Sequence, residues 1–122
     1  MTRTKEIWAE VNYPPTEEQQ LNYNKMLVDY DLFDEVVSAV TDATRTPVEE
    51  LFQKTKDNHI TQSRYLIYYI LKENGYKLAT ISRCMKVNGY NAANSTILYG
   101  IKQIHDKLST DSSLAEFVSR WK

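Results

Sequence analysis

KLATISRCMKVNGYNAANSTILYGIKQIHDKL, residues 77–108, carries two helical apolar patterns separated by a small polar loop. Leu78, Ile81 and Met85 share a face in the first part, and Ile97, Leu98, Ile101 and Ile104 make an apolar stretch in the second. Between them, Asn88-Gly89-Tyr90-Asn91-Ala92-Ala93 reads as a turn. Two consecutive helices joined by a short Gly-containing turn predict a helix-turn-helix at roughly 78–108, with 94–108 as its second helix. That second helix opens with Asn94, Ser95 and Thr96. An N-cap accounts for one such residue, Asn94 or Ser95. The remainder fit a helix end read by hydrogen bonds, because the start of the second helix of this motif meets base edges in the major groove.

Working outward, ITQSRYLIYYILKENGY predicts the strongest helix. Thr61 is its expected N-cap, Leu66, Ile67, Ile70 and Leu71 its buried stripe, and Gly75 its stop. Tyr65, Tyr68 and Tyr69 fall on different faces, which predicts that some are exposed. Upstream, Phe33, Val36, Val37 and Val40 recur at i, i+3, i+4, i+7 and predict a helix over 32–46. Pro47 then opens a short helix that turns Leu51 and Phe52 inward. Residues 16–30 form an expected helix capped by Thr16, preceded by an arm holding Ile7, Trp8, Val11 and Tyr13 that stops at Pro14-Pro15. The tail SLAEFVSRWK predicts a short helix with Leu114, Phe117, Val118 and Trp121 as its apolar face. The expected organisation is a helical extension at 1–30 and an all-α domain at 31–122.

Composition bounds the function. The chain has 122 residues, 42% of them hydrophobic, which suits one soluble domain with an extension. No apolar run approaches a membrane span, and the N-terminus lacks a secretory core, so the expected location is cytoplasmic. The single Cys84 excludes an internal disulfide and offers no metal-ligand spacing. Residues 1–53 hold four basic and eleven acidic side chains, net −7, whereas residues 54–107 hold nine basic and three acidic, net +6. An acidic half joined to a basic half fits a nucleic-acid binder as well as a solvated surface.

From about Val36 to Ile104 the chain resembles the C-terminal DNA-binding domain of the bacterial replication initiator DnaA, a Trp-repressor-like helix-turn-helix. The resemblance rests on VVSAVTDATRTPVEELFQK, on ITQSRYLIYYIL with Arg64 at the family's arginine, on LATISRCM with Ile81 at the family's isoleucine, and on ANSTILYGIKQI against D-H-[ST]-T-V-x-x-A-x-x-K-I. Ser95, Thr96 and Ile97 fit this signature, while Ala93-Asn94 replaces the family's Asp-His and NGYNA replaces its Gly-Arg. The resemblance implies a Trp-repressor-like helical bundle that binds double-stranded DNA, though not at the family's own box. The family's ATPase motif G-x-x-x-x-G-K-[ST] does not occur here, so a stand-alone binding protein is the expectation, suited to replication or transcription in a bacterium, phage or mobile element.

The expected DNA contacts follow. Asn94, Ser95 and Thr96 suit base readout: Asn pairs with adenine, Ser and Thr with several bases, and a Thr methyl with a thymine methyl. Tyr99, one turn on, suits either a base or phosphate contact or the core. The resemblance places Arg64 in the minor groove. Lys54, Lys56, Lys77, Arg83 and Lys86 flank the motif as phosphate contacts. His59 and His105 lack an adjacent nucleophile or carboxylate pair, so no enzymatic activity, small-molecule substrate, cofactor or metal is expected. The alternative reading is a protein-interaction module on the same scaffold, with the acidic, aromatic N-terminal half (Trp8, Tyr13, Tyr23, Tyr30) meeting a protein partner.

Overall fold

The computed structural model describes residues 17–55 and 57–121. The readings of Ile7, Trp8, Val11, Tyr13, Pro14-Pro15 and the Thr16 cap lie outside them. The chain is all-α. The described residues form six helices and no strand: α1 (Glu17–Thr44), α2 (Val48–Leu51), α3 (Asn58–Glu73), α4 (Leu78–Val87), α5 (Asn94–Leu108) and α6 (Ser112–Ser119). None of them is long and apolar enough to cross a membrane.

The chain divides into two compact units, residues 1–32 and 33–122, and the division falls inside α1. Two separate helices were expected over 16–46. One helix forms instead, because EEQQLNYNKMLVDYDLFDEVVSAVTDAT holds neither Gly nor Pro to break it. In the first unit, Glu17 and Glu18 sit in the opening turn, where carboxylates favour the positive end of the helix dipole.

The second unit begins with the apolar face of α1: Phe33, Val36, Val37 and Val40 are all buried, as their spacing predicts. Thr41 and Thr44 fold their hydroxyls back onto the carbonyls of Val37 (2.8 Å) and Val40 (2.7 Å). The chain then turns through Arg45 at φ +55°, and the Thr46 amide donates to Thr41 O at 3.1 Å. Thr46 is buried, and its hydroxyl lies 2.9 Å from that of Thr44 and 3.1 Å from that of Ser63 on α3. This hydroxyl cluster, with the His59 ring 2.7 Å from Thr44 O, ties the end of α1 to the start of α3. Leu51 of α2 is buried, and the Phe52 ring lies 6.3 Å from that of Phe33.

Helix α3 starts earlier than expected. Asp57 is its N-cap and accepts from the His59 amide at 2.9 Å, while the amide of Thr61 is already bonded to Asp57 O at 3.0 Å. Carboxylates cap well, so the signal at Asp57 outranks Thr61. Burial also exceeds a stripe: Leu66, Ile67, Tyr68, Tyr69, Ile70 and Leu71 are all buried in succession. A helix apolar on every side must be surrounded, and α3 does pack against α2, α4 and α5. Two of the three tyrosines expected on varied faces are therefore interior, and Tyr65 alone is half-exposed.

Two N-G-Y stretches stop helices by one device. Asn74 and Asn88 are the C-caps of α3 and α4, and their side-chain amides donate to Ile70 O (2.7 Å) and Cys84 O (2.9 Å). Gly75 and Gly89 both stand at φ +88°, a conformation open to glycine and costly for other residues. Their amides, and those of Tyr76 and Tyr90, return to the last carbonyls of each helix in Schellman fashion. Leu78, Ile81 and Met85 begin, centre and close α4, with Ile81, Met85 and the Cys84 thiol fully buried.

Gly100 of α5 is buried against the Tyr65 ring of α3. A Cβ at that position would stand 2.8 Å from Tyr65 Cγ. Helix α6 is capped by Asp111, whose carboxylate accepts from Leu114 N at 3.0 Å. Its Val118 is buried, with Leu114, Phe117 and Trp121 half-buried beside it.

Gly100→Ala should therefore destabilise the protein by about 1–3 kcal/mol, the usual cost of overpacking, in a urea titration. Adding Tyr65→Ala should cancel part of that loss, since the clash is with this ring. Burial, and secondarily the neighbouring Tyr90, pushes the Tyr68 phenol well above its ordinary value. The unfolded phenol ionises near pH 10 while the folded one resists. Stability is thus undiminished below pH ~10 and falls as the pH rises above it. Alkaline unfolding of Tyr68→Phe should be less steep in this range, and a wild-type slope matching that of the variant would disprove the assignment.

Candidate functional site

The segment connecting α4 and α5 is built from within. Gly89 N and Tyr90 N donate to Lys86 O (2.9 Å) and Met85 O (3.0 Å), which turns the chain off α4. Ser82 Oγ then donates to Ala92 O at 2.8 Å and holds the exit of the loop against α4. Ala92 is buried. The Tyr90 ring lies under the Arg64 guanidinium, 4.3 Å from ring centroid to Cζ, and so fixes the middle of the loop to α3.

Helix α5 opens without a side-chain cap. Ala93 is the N-cap, at φ −71° and ψ 147°. By contrast, Asp57 and Asp111 cap α3 and α6. The alternative reading of Asn94 or Ser95 as the N-cap is therefore corrected: both lie within the helix. Asn94, Ser95 and Thr96 are all exposed. Among the described residues no hydrogen bond engages their side chains, so amide and hydroxyl groups stand at the positive end of a fifteen-residue helix.

Beyond the first turn, Ile97, Gly100 and Ile104 are buried against the rest of the unit. The opposite face carries Ser95, Tyr99 and Lys102, with Leu98 beside them, and all four are exposed. Leu98, part of the apolar stretch in the sequence, is 41% exposed. The reason is helical phase: the buried line runs through Ile97, Gly100 and Ile104, and Leu98 lies about 100° from Ile97. Tyr99 is 55% exposed, and its ring meets Tyr65 edge-on at 6.0 Å and 78°. Burial raises the pKa of Tyr65, with further contributions from Tyr99 and Tyr90 that Arg64 partly opposes.

The basic side chains differ in exposure. Arg83 and Lys86 are exposed one turn apart on α4, Lys77 is exposed at its N-cap, and Lys54 is exposed after α2. Lys56 lies outside the described residues. Arg64 is buried, against the expectation of a minor-groove contact. It is only 3% exposed. Its Nε donates to Leu51 O at 2.7 Å, and one terminal nitrogen donates to Gln53 O, with Glu50 O 3.5 Å away. The guanidinium closes the C-terminal end of α2 and cannot reach a groove without abandoning these carbonyls.

Leu98, Lys102 and Tyr90 were missed as members of the site. Leu98 and Lys102 follow Ser95 at i+3 and i+7, so the sequence held that signal. The position of Tyr90 depends on a tertiary contact with Arg64 and left none. The exposed surface of the first two turns of α5 presents amide, hydroxyl, methyl and aromatic groups, with cations on the preceding helix. No protein-family model matches the chain, and no curated protein or solved structure matches it.

Truncating Arg64 should leave carbonyls of the α2 end unpaired. Arg64→Ala is expected to lose roughly 1.5–3 kcal/mol, the range for hydrogen bonds to a charged group, in urea unfolding. Arg64→Lys should recover little, because an ammonium lacks the planar fork that reaches several carbonyls together.

Proposed function

We propose that the chain binds double-stranded DNA with a sequence preference, using α4, the 88–93 loop and α5 as a helix-turn-helix. The observation that carries this reading is the start of α5. Asn94, Ser95 and Thr96 are exposed, are not consumed by capping, and bear the donor and acceptor groups that pair with base edges. The cations support it: Lys77, Arg83 and Lys86 on or beside α4 suit phosphate contacts that set orientation without reading sequence. The resemblance to the initiator's DNA-binding domain points the same way. Arg64 acts in this reading as a support for the loop and not as a contact.

The test is selection from a randomised duplex pool at two salt concentrations. Wild type should enrich a sequence and bind it less tightly at the higher salt. Asn94→Ala should lose about 1–3 kcal/mol on the enriched site and relax preference at one position, while Lys86→Ala should weaken all sequences alike and lower the salt slope by about 1. Failure of folded wild type to retain any duplex at low salt would remove this reading and leave a protein-interaction module in its place.

A further inference from the structure

We infer that the site read by α5 is rich in A·T pairs, with adenine met by Asn94 and thymine methyls met by Thr96 and Leu98; this rests on the DNA-binding reading above. The argument starts from what the exposed surface of the first two turns lacks. Guanine shows two acceptors in the major groove, and Arg or Lys is the usual bidentate partner; cytosine shows a donor, for which Asp or Glu is the usual partner. Between Asn94 and Ile101 there is no Arg, Lys, Asp or Glu. The first cation of the helix is Lys102, which at 1.5 Å per residue lies about 12 Å along the axis from Asn94 and suits the flanking phosphates. The first acid is Asp106.

What the two turns do offer is matched to the other base pair. An Asn amide pairs bidentately with adenine N6 and N7, and apolar groups contact the C5-methyl of thymine. Thr96 brings one methyl and Leu98 an isobutyl group, both exposed. Leu98 stands in water although α5 has an inner face on which Ile97 and Ile104 are buried, so the core does not account for it. Contact with thymine methyls removes that apolar surface from water. The adjacent Tyr99 is braced edge-on by Tyr65, so the surface next to Leu98 is held in place before any partner arrives. Exposed Arg83 and Lys86 on α4 supply the charge that complements a duplex backbone rather than an apolar protein surface.

The experiment takes the duplex enriched by selection and compares it, by fluorescence anisotropy, with copies in which thymine is replaced by deoxyuridine. That exchange deletes the C5-methyl and keeps base pairing. The expected result is an A·T-rich core and a loss of about fourfold per critical methyl, the value of one buried methyl-sized group. Leu98→Ala should bind the thymine and deoxyuridine duplexes nearly alike at the position it contacts. Leu98 is surface-exposed, and circular dichroism would verify that the variant keeps the fold. A G·C core, or equal binding of both duplexes by wild type, would overturn this inference and leave DNA binding standing. Absence of any duplex binding would overturn both.

Discussion

Arg64 is a cation almost wholly withdrawn from water, and the second unit is arranged around satisfying it. Burying a charge without partners is costly enough to decide how neighbouring segments lie. Here the partners are carbonyls at the end of α2 and the face of the Tyr90 ring. Helix α2 has four residues, too few to persist by propensity alone. Its end is held by the guanidinium and its side by Leu51 in the core. On the other side, the same group secures the loop from which α5 departs. One side chain on α3 thus joins the segment before it and the loop that follows the next helix.

This arrangement explains which parts of the fold were legible. The ends of α3 and α4 could be read because periodic apolar residues meet Gly75 and Gly89, and only glycine occupies φ +88° without strain. The face of α1 holding Phe33, Val36, Val37 and Val40 could be read because those residues recur at helical spacing. Arg64 could not, because an arginine on a helix reads as surface until the helix is known to be enclosed. The enclosure of α3 is a tertiary fact: Tyr68 and Tyr69 are interior because neighbours cover faces that periodicity assigns to solvent. Leu98 sits among Ile97, Ile101 and Ile104 in sequence, yet Ile97 and Ile104 are buried and Leu98 is exposed, a difference of helical phase that composition does not express.

Of the candidate site, the sequence shows which polar residues open α5 and not which side chains the fold leaves exposed. Asn94, Ser95 and Thr96 announced themselves by composition, and their alternative role as caps could be settled only by the backbone, which gives that position to Ala93. The cations on α4 followed from charge asymmetry. Arg64 was drawn into the site by resemblance, which transfers a residue's position more securely than the direction of its side chain.

The packed and the exposed residues of α5 fall on opposite sides of the helix. The inner face is fixed: Gly100 admits no Cβ, Ile97 and Ile104 are enclosed, and Tyr65 closes over the junction. The outer face bears little of the packing, so the fold does not dictate its residues. A helix face with only a solvating role is ordinarily filled with Lys, Glu and Gln, which favour the helix and water together. The first two turns of α5 show Asn, Ser and Thr, all weaker helix formers, then Leu and Tyr left in water. Asn, Ser and Thr suit water better than a helix, and Leu suits a helix better than water. Departures from local preference that the fold does not require are expected where a surface answers to a partner, and on this chain they converge at the uncapped start of one rigidly seated helix.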